Sequence, residues 1–183
     1  VLDRTRTPMG ARLLRRWIGQ PLLDLGVLRE RQDGVARFVD DPLARSALRE
    51  ALRPVADVER LVNRAVTGSA GPRELLALRA SLAALPAVCE VANGAADPAL
   101  AADAGAEVHD LLQNAIADDA PAVLGKGGAI RPGFAADLDG HQARAREARD
   151  WIAGLERSER ERTGIRSLKV GYNKVFGYFL EAT

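Results

Sequence analysis

Cysteine is nearly absent from this chain of 183 residues, in which Cys89 is the single thiol. One cysteine cannot form a disulfide within the chain, and it cannot build a metal site that needs several thiolates. The composition therefore excludes a disulfide-stapled fold and fits a reducing cytosol.

Aromatic residues are also scarce, at 4% of the chain, whereas hydrophobic residues make up 47%. The core must then be built from alanine, leucine, valine and isoleucine, which favours close helix packing over a β-sandwich. Charge is balanced, with 26 basic and 25 acidic side chains and a net charge of +1. Overall charge therefore indicates no particular partner, and any nucleic-acid binding must come from local patches.

Two further absences concern membranes and export. We expect no apolar run to approach the roughly 18–20 residues that span a bilayer. The N-terminus also lacks the pattern of a signal peptide. The sequence therefore predicts no membrane partner.

Residues with catalytic or metal-binding chemistry are few and scattered. His109-Asp110 is a conceivable catalytic pair and Asp118-Asp119 a conceivable cation site, but a surface histidine and a turn or capping pair are favoured. His141 has no metal-ligand spacing to another histidine. The segment GKGG at 125–128 lacks the GxxxxGK[ST] spacing of a phosphate loop and predicts a surface turn. We expect no catalytic residue, metal site or cofactor in this chain.

Helix-start signals recur through the first half of the chain. They occur at Thr7-Pro8, Asp24, Asp41-Pro42, Asp57 and Pro72. Capping side chains accept hydrogen bonds from free N–H groups at a helix start, and proline suits the first helical position. The pattern predicts four or five short helices with brief connections, the last of them covering RELLALRASLAAL, as in an α-helical bundle. A helical solenoid is the alternative, although no fixed sequence period supports it.

The middle of the chain is less regular. Residues 93–105, NGAADPALAADAG, are small and low in complexity and predict a loop. A short helix is predicted from Glu107 to Ile116, followed by the longest irregular connection at residues 117–136.

One long helical stretch is predicted from Asp137 to Thr163. A seam suited to pairing with another helix runs along it, formed by Ala145, Ala148, Ile152 and Leu155. Beyond the seam the segment ERSERERT is polar all round, and i,i+4 ion pairs can support it, namely Glu156–Arg160 and Arg157–Glu161. At 1.5 Å per residue the stretch reaches roughly 40 Å, like an arm that starts packed and ends in solvent.

After this helix the sequence pattern changes to a period of two. Gly164 can end the helix, and apolar residues alternate from Leu168 onward with a short turn near Asn173-Lys174. A β-hairpin at the tip of the arm is predicted, in which Gly171 and Gly177 weaken strand propensity and permit a bulge or a close backbone approach. Because the chain stops at Thr183 within the alternation, we interpret it as a piece of a longer protein.

Three parts of the sequence resemble the MutS family of DNA mismatch repair proteins. LDRTRTPMGARLLRRWIGQPLLD at Leu2–Asp24 is similar to the start of the family's core region, and Asp57–Pro86 is similar to its middle. GGAIRPGF and the run from Trp151 to Thr183 resemble the family's lever helix and its entry into the DNA clamp. The stretch ERERTGIRSLKVGYNKVFGYFLE is long and unusual, so the resemblance is specific. Residues 93–105 and Gly140-His141 depart from the family pattern, and Gly140 costs about 1 kcal/mol in a helix.

The resemblance implies a mainly α fold with three parts. Residues 1–136 are expected to form a multi-helix bundle, 137–165 a long projecting lever helix, and 166–183 a short terminal β-hairpin that begins an incomplete clamp. By the same resemblance the whole protein binds mismatched double-stranded DNA in an ATP-dependent manner. ATP and Mg belong to an ATPase domain outside this chain. The implied partners are other MutS domains, a second MutS subunit and a MutL-type protein, in the bacterial cytoplasm at the nucleoid.

The resemblance also suggests what this chain contributes. It is expected to be a non-enzymatic module that links the DNA clamp to the ATPase domain. Lys169, Asn173 and Lys174 are the candidate DNA-contacting residues, touching phosphates without reading sequence. The alternative is that these side chains are merely solvated near the root of the clamp. An autonomous, non-specific DNA-backbone-binding module is the second functional hypothesis.

Two other groups of side chains each allow two interpretations. The N-terminal arginines could contact phosphates or form an interdomain salt-bridge site, or they could have a buried or interdomain structural role; they are Arg4, Arg6, Arg12, Arg15 and Arg16. The structural role is favoured, because the resembling helix of the family lies in the core. Tyr172, Phe176 and Tyr178 could stack on bases or pack in the small core of the clamp. Packing is favoured.

Overall fold

The computed structural model describes residues 3–93, 105–123, 125, 127–175 and 177–182. The helices in these residues are Pro8–Gly19 (α1), Leu25–Asp40 (α2), Pro42–Ala51 (α3), Val58–Val66 (α4), Pro72–Asn93 (α5), Ala106–Ala115 (α6) and Ala136–Thr163 (α7). Two antiparallel strands follow, Lys169–Asn173 (β1) and Gly177–Glu181 (β2). The predicted mainly α fold with a terminal hairpin is confirmed. The chain divides into two compact units, Val1–Arg131 and Pro132–Thr183.

Local capping signals account for the starts of the first four helices. Thr7 accepts the N–H of Gly10, and Asp24, Asp41 and Asp57 cap α2, α3 and α4 in the same way. Each cap satisfies an N–H group that has no partner within its own helix. The four predicted caps are therefore confirmed.

Helix α5 is longer than the sequence predicted. It continues through Pro86 to Asn93, a total of 22 residues, although an internal proline removes one helical hydrogen bond. Its final carbonyls have a partner outside the helix, since Arg37 of α2 donates to the carbonyls of Ala92 at 2.6 Å and Val91 at 3.1 Å. The last carbonyls of a helix have no partner within the helix, and this guanidinium binds two of them. The prediction that all helices in this half are short was wrong for α5.

The same helix corrects a second expectation. The stretch Pro72–Ala92 is long and apolar enough to cross a membrane by length and composition, so the prediction that no apolar run approaches this length was wrong. One such helix is weak support for a membrane span, because the core helix of a soluble protein passes the same test. Within the first unit α5 contacts α3, α4 and α6.

The core of the first unit lies where α4, α5 and α6 meet. Its buried members are Leu61, Leu78, Leu112, Ala115, Ile116, Ala117 and Ala120. Ser81 of α5 is fully buried beside them; its hydroxyl accepts the N–H of Ala56 at 3.0 Å and donates to the carbonyl of Ala77 at 2.7 Å. A buried hydroxyl with both bonds made avoids the cost of an unpaired polar group.

The irregular connection after α6 is closed at its base. Ile116 and Ile130 form an isolated antiparallel bridge, and the N–H of Arg131 donates to the carbonyl of Ala115 at 2.8 Å. Gly127 and Gly128 within this loop have φ of 76° and 75°, a region that glycine enters without steric cost. These conformations support the predicted surface turn.

Helix α7 dominates the second unit. It spans 28 residues, or about 42 Å at 1.5 Å per residue. Gly140 and His141, which depart from the family pattern, are both helical. The carboxylate of Asp139 accepts the N–H of Gly133 at 2.8 Å, and acidic residues in the first turn interact favourably with the helix dipole.

Candidate nucleic-acid interface at the end of helix α7

The hairpin begins where Gly164 ends α7. Gly164 has φ of 72°, and its N–H donates to the carbonyl of Arg160 at 2.9 Å. A left-handed residue after the last helical turn stops the helix and changes the direction of the chain. Leu168, only 6% exposed, then leads into β1. The predicted helix stop is therefore confirmed.

The register of the hairpin decides which side chains share a face. Tyr172 is directly opposite Tyr178, and Lys169 is directly opposite Glu181. Opposite residues of an antiparallel pair point to the same face, and successive residues alternate. The tyrosine pair and the lysine–glutamate pair therefore occupy different faces of the hairpin.

The two tyrosines form a cross-strand pair that is open to solvent. Their ring centroids are 4.9 Å apart with the planes at 54°, a tilted arrangement of the kind favoured by aromatic pairs. Tyr172 is 62% exposed and Tyr178 60% exposed. The favoured interpretation, packing in a small core, is not realised for these two rings within the described residues. Phe176 lies outside them.

Gly171 is the position where a side chain has no room. It is opposite Phe179, and a Cβ built on Gly171 would lie 2.5 Å from the Cζ of that ring. The Phe179 ring therefore lies across the backbone of Gly171, which agrees with the close approach predicted there.

The three candidate DNA-contacting residues lie along β1 and the turn. The side chains of Lys169 and Lys174 are exposed, whereas Asn173 is half-buried. The Asn173 Oδ1 atom accepts the N–H of Val175 at 2.9 Å, as short polar side chains often do in turns. The fold thus places the three residues on one hairpin, with the two lysine side chains open to solvent.

Two residues that sequence reasoning did not assign to this site hold the hairpin on the helix. The Arg160 Nε donates to the carbonyl of Leu168 at 2.7 Å, and the N–H of Val170 donates to the Glu156 Oε2 at 3.1 Å. Glu156 and Arg160 also pair with each other at 2.7 Å. Their i,i+4 spacing was predicted as an ion pair, which is confirmed, but spacing alone does not reveal the contacts with β1.

The second predicted pair on this helix has a different outcome. Within residues 127–175 of the described chain, Arg157 and Glu161 do not pair, and Arg162 instead binds Glu159 at 2.7 Å. The guanidinium of Arg162 lowers the pKa of Glu159, chiefly through this hydrogen bond. This pair does not involve the hairpin.

The predicted helix-pairing seam of α7 meets the hairpin at its far end. Ala145 and Ala148 are exposed, whereas Ile152 and Leu155 are half-buried. Ile152 lines a groove with Val170 and both tyrosines, and Leu155 lines a second groove that includes Trp151 and Leu180. The neighbouring Trp151 is 66% exposed, so an apolar surface remains along this part of the helix.

One of the N-terminal arginines has a structural partner. Arg12 donates to both carboxylate oxygens of Asp57 at 2.7 Å and also binds Glu59. This bidentate contact joins α1 to the start of α4 and lowers the pKa of Asp57. The side chains of the other four arginines, Arg4, Arg6, Arg15 and Arg16, are exposed.

Asp118 belongs to a cluster of charged residues at the base of the irregular loop. Its Oδ1 atom accepts from Arg79 at 2.6 Å and from Arg131 at 3.3 Å. The hydrogen bond from Arg79 and the charge of Arg131 lower the pKa of Asp118. These contacts agree with the favoured turn role for Asp118. Among the described residues no group of three or more His, Cys, Asp or Glu side chains could hold a metal ion.

The profile described as MutS domain III matches residues 1–174 of this chain. The chain belongs to the MutS domain III family. Its resemblance to this family, inferred from the terminal motif and two earlier segments, is confirmed.

Curated relatives place this MutS domain within much longer proteins. The chain is 45% identical over 188 residues to a DNA mismatch repair protein MutS of Salinibacter ruber, covering 100% of this chain and 21% of the relative. It is 47% identical over 207 residues to one of Chloroflexus aurantiacus and 48% identical over 191 residues to one of Anaeromyxobacter dehalogenans, covering 99% and 100% of this chain and 21% of each relative. The chain thus spans about a fifth of the length of the relatives it matches.

Proposed function

We propose that this MutS domain III carries a DNA-contacting hairpin at the end of a long helix and links it mechanically to the rest of a mismatch repair protein. The observation that carries the proposal is the unbroken α7 of 28 residues, whose last turns bind β1 through Glu156 and Arg160. A continuous helix moves as one body, so a displacement at its start reaches the hairpin.

In this proposal the three parts of the chain have separate roles. Residues 1–136 form the helical core, 137–165 the lever, and 166–183 the beginning of the clamp. The whole protein binds mismatched double-stranded DNA in an ATP-dependent manner, with ATP and Mg held by a domain outside this chain. Its partners are other MutS domains, a second MutS subunit and a MutL-type protein in the cytoplasm at the nucleoid. No catalytic step is assigned to residues of this chain.

Lys169, Asn173 and Lys174 are proposed to contact DNA phosphates. The exposure of both lysine side chains supports this role, since an accessible ammonium group can neutralise a phosphate and release its counterions. Such contacts position a duplex without reading its sequence. They suit a hairpin that holds DNA while another part of the protein recognises the mismatch.

The linkage is tested by inserting Gly-Gly after Arg157 in the complete protein. Two residues rotate the end of α7 by about 200°, and glycine lowers helix stability by up to about 1 kcal/mol at each position. We expect stimulation of ATP turnover by mismatched DNA to fall several-fold, while turnover without DNA is kept. The matched control is the same Gly-Gly insertion between Gly127 and Gly128, in the irregular loop. Wild-type stimulation in the α7 variant would contradict the linkage.

The second candidate function, an autonomous DNA-backbone binder, is favoured by the exposed lysines and tyrosines of the hairpin. Fluorescence anisotropy of this chain with duplex DNA over a range of salt concentrations separates the two. We expect weak binding, with the salt slope reduced by about one for each of Lys169→Gln and Lys174→Gln. Arg49→Gln, at an exposed position of α3, is the control for loss of one charge. Tight binding by the isolated chain would favour the autonomous module, and an unchanged slope would contradict the phosphate contacts.

A further inference from the structure

We infer that Glu156 and Arg160 are positioning residues that set the direction of the hairpin on α7 and carry movement of the helix to the strands. The inference rests on the proposed function and deepens it, because it names the side chains through which the linkage passes. It is carried by contacts within the second unit.

The two side chains form one continuous network with the backbone of the entering strand. Arg160 donates through Nε to the carbonyl of Leu168 at 2.7 Å and through Nη2 to Glu156 at 2.7 Å. The other carboxylate oxygen of Glu156 accepts the N–H of Val170 at 3.1 Å. Each side chain therefore orients its neighbour and also holds one backbone group of the strand.

Leu168 immediately precedes β1, and the two backbone groups that the side chains hold lie on the same side of the chain there. In an extended strand the carbonyl of one residue and the N–H two positions later point to the same side. The Val170 N–H is donated to Glu156, so this is the side that does not face β2. Glu156 and Arg160 thus replace a neighbouring strand at the start of β1, and they fix both the position and the rotation of that strand.

The connection between α7 and β1 is mostly exposed. The chain between the helix and β1 runs through Gly164, whose backbone is left-handed, and Ile165, which is 41% exposed. Among the described residues of this unit, Leu168 is the only hydrophobic residue that is buried. Apolar contacts are non-directional, whereas two hydrogen bonds to groups on the same side of the strand fix its rotation. Without the two side chains we expect the hairpin to pivot at Gly164.

The first test measures hydrogen exchange of the Val170 N–H in this chain by NMR. We expect Glu156→Ala to speed exchange about 10-fold, since charge-assisted bonds are the stronger class. Glu156→Gln keeps an acceptor oxygen and should restore most of the protection. Arg162→Gln, which breaks an ion pair of the same helix without touching the hairpin, should leave Val170 unchanged. Equal exchange in wild type and Glu156→Ala would overturn the inference.

A double variant separates positioning from simple support of the helix. Exchanging the two residues, with Glu156→Arg and Arg160→Glu together, keeps an i,i+4 ion pair on α7 but puts a carboxylate beside the Leu168 carbonyl. If the residues only stabilise the helix, protection of Val170 should return to the wild-type value, and that result would overturn the inference. We expect the exchange rate to stay as high as in Glu156→Ala.

The second test measures stimulation of ATP turnover by mismatched DNA in the complete protein. We expect Glu156→Ala to lower it at least about 3-fold, with turnover in the absence of DNA kept, Glu156→Gln close to wild type and Arg162→Gln unaffected. Loss of stimulation in the α7 insertion variant but not in Glu156→Ala would overturn this inference alone. Stimulation kept in both variants would overturn the proposed function itself.

Discussion

Different interactions stabilise the interior of each of the two units of this chain. In Val1–Arg131 a cluster of seven buried residues lies between α4, α5 and α6. In Pro132–Thr183 Leu168 is the buried hydrophobic residue of the described part, and the helix holds the strand through polar side chains. Apolar burial is non-directional, whereas a hydrogen bond fixes a direction. The first unit is therefore built for stability and the second for a defined geometry that local changes can alter.

The largest effect is expected from truncating the core of the first unit. Leu78 is 4% exposed within the buried cluster, and replacing such a leucine by alanine removes apolar contacts and leaves a cavity. We expect Leu78→Ala to lower the free energy of unfolding by about 2–5 kcal/mol. Urea unfolding followed by circular dichroism measures this loss. Leu43→Ala, at a position that is 83% exposed, should change it little, and equal losses would break the comparison.

The equivalent change in the second unit should have a smaller effect on overall stability. Leu168 is 6% exposed, but the neighbouring side chains of this unit are mostly half-buried or exposed. They can collapse into the space, so we expect Leu168→Ala to cost about 2 kcal/mol, at the low end of the range. Faster hydrogen exchange in β1 and β2, with the amides of α5 unchanged, is the expected signature. A loss as large as that of Leu78→Ala would contradict the contrast between the units.

A small gain in stability is expected within α7. Gly140 lies inside the helix, and a Cβ added there meets no atom within 4 Å. Gly140→Ala removes conformational freedom from the unfolded chain and should stabilise the helix by about 0.5–1 kcal/mol. Thermal unfolding followed by circular dichroism measures it. Gly164→Ala is the contrasting change, because φ of 72° is strained for alanine, and it should be destabilising.

The smallest effect is expected from the charged cluster around Asp118, whose own side chain is exposed. Arg79 and Arg131 lower the pKa of Asp118 from its ordinary value of 3.8. A depressed pKa in the folded state contributes stability above pH 3.8, and this contribution is lost as the pH falls through the folded value. Asp118→Asn should therefore flatten the acid side of the stability curve and lower stability slightly at neutral pH. Asp119→Asn removes the same charge one residue away, and an identical curve for both variants would contradict the role of the cluster.

The local features of the fold could be predicted from the sequence. Caps such as Thr7 and Asp24 act within three residues of themselves, and Gly164 ends α7 through its own backbone conformation. The change from a helical period to a period of two likewise indicated the hairpin. These signals need no knowledge of distant residues, and the structure confirms them.

The features that sequence reasoning missed depend on how the folded chain brings separate elements together. The continuation of α5 past Pro86 is accompanied by Arg37 of α2, which holds carbonyls 54 and 55 residues later. The bond between Arg160 and the Leu168 carbonyl exists only because the turn after Gly164 brings β1 back to the helix. The spacing of charged residues in the sequence does not predict which residues of the strand will lie beside the helix after the turn. The candidate residues Lys169, Asn173 and Lys174 were chosen by resemblance, and their contact with DNA stays a prediction.

The side chains that bind β1 also hinder its pairing with a strand of another molecule. The outer edge of a strand presents unpaired N–H and C=O groups, which invite pairing with a strand of another molecule and lead to aggregation. At the start of β1 the Leu168 carbonyl and the Val170 N–H are already bound by Arg160 and Glu156. A foreign strand would have to displace both side chains before it could pair there. Pairing of a foreign strand is thus hindered at the beginning of this edge of β1.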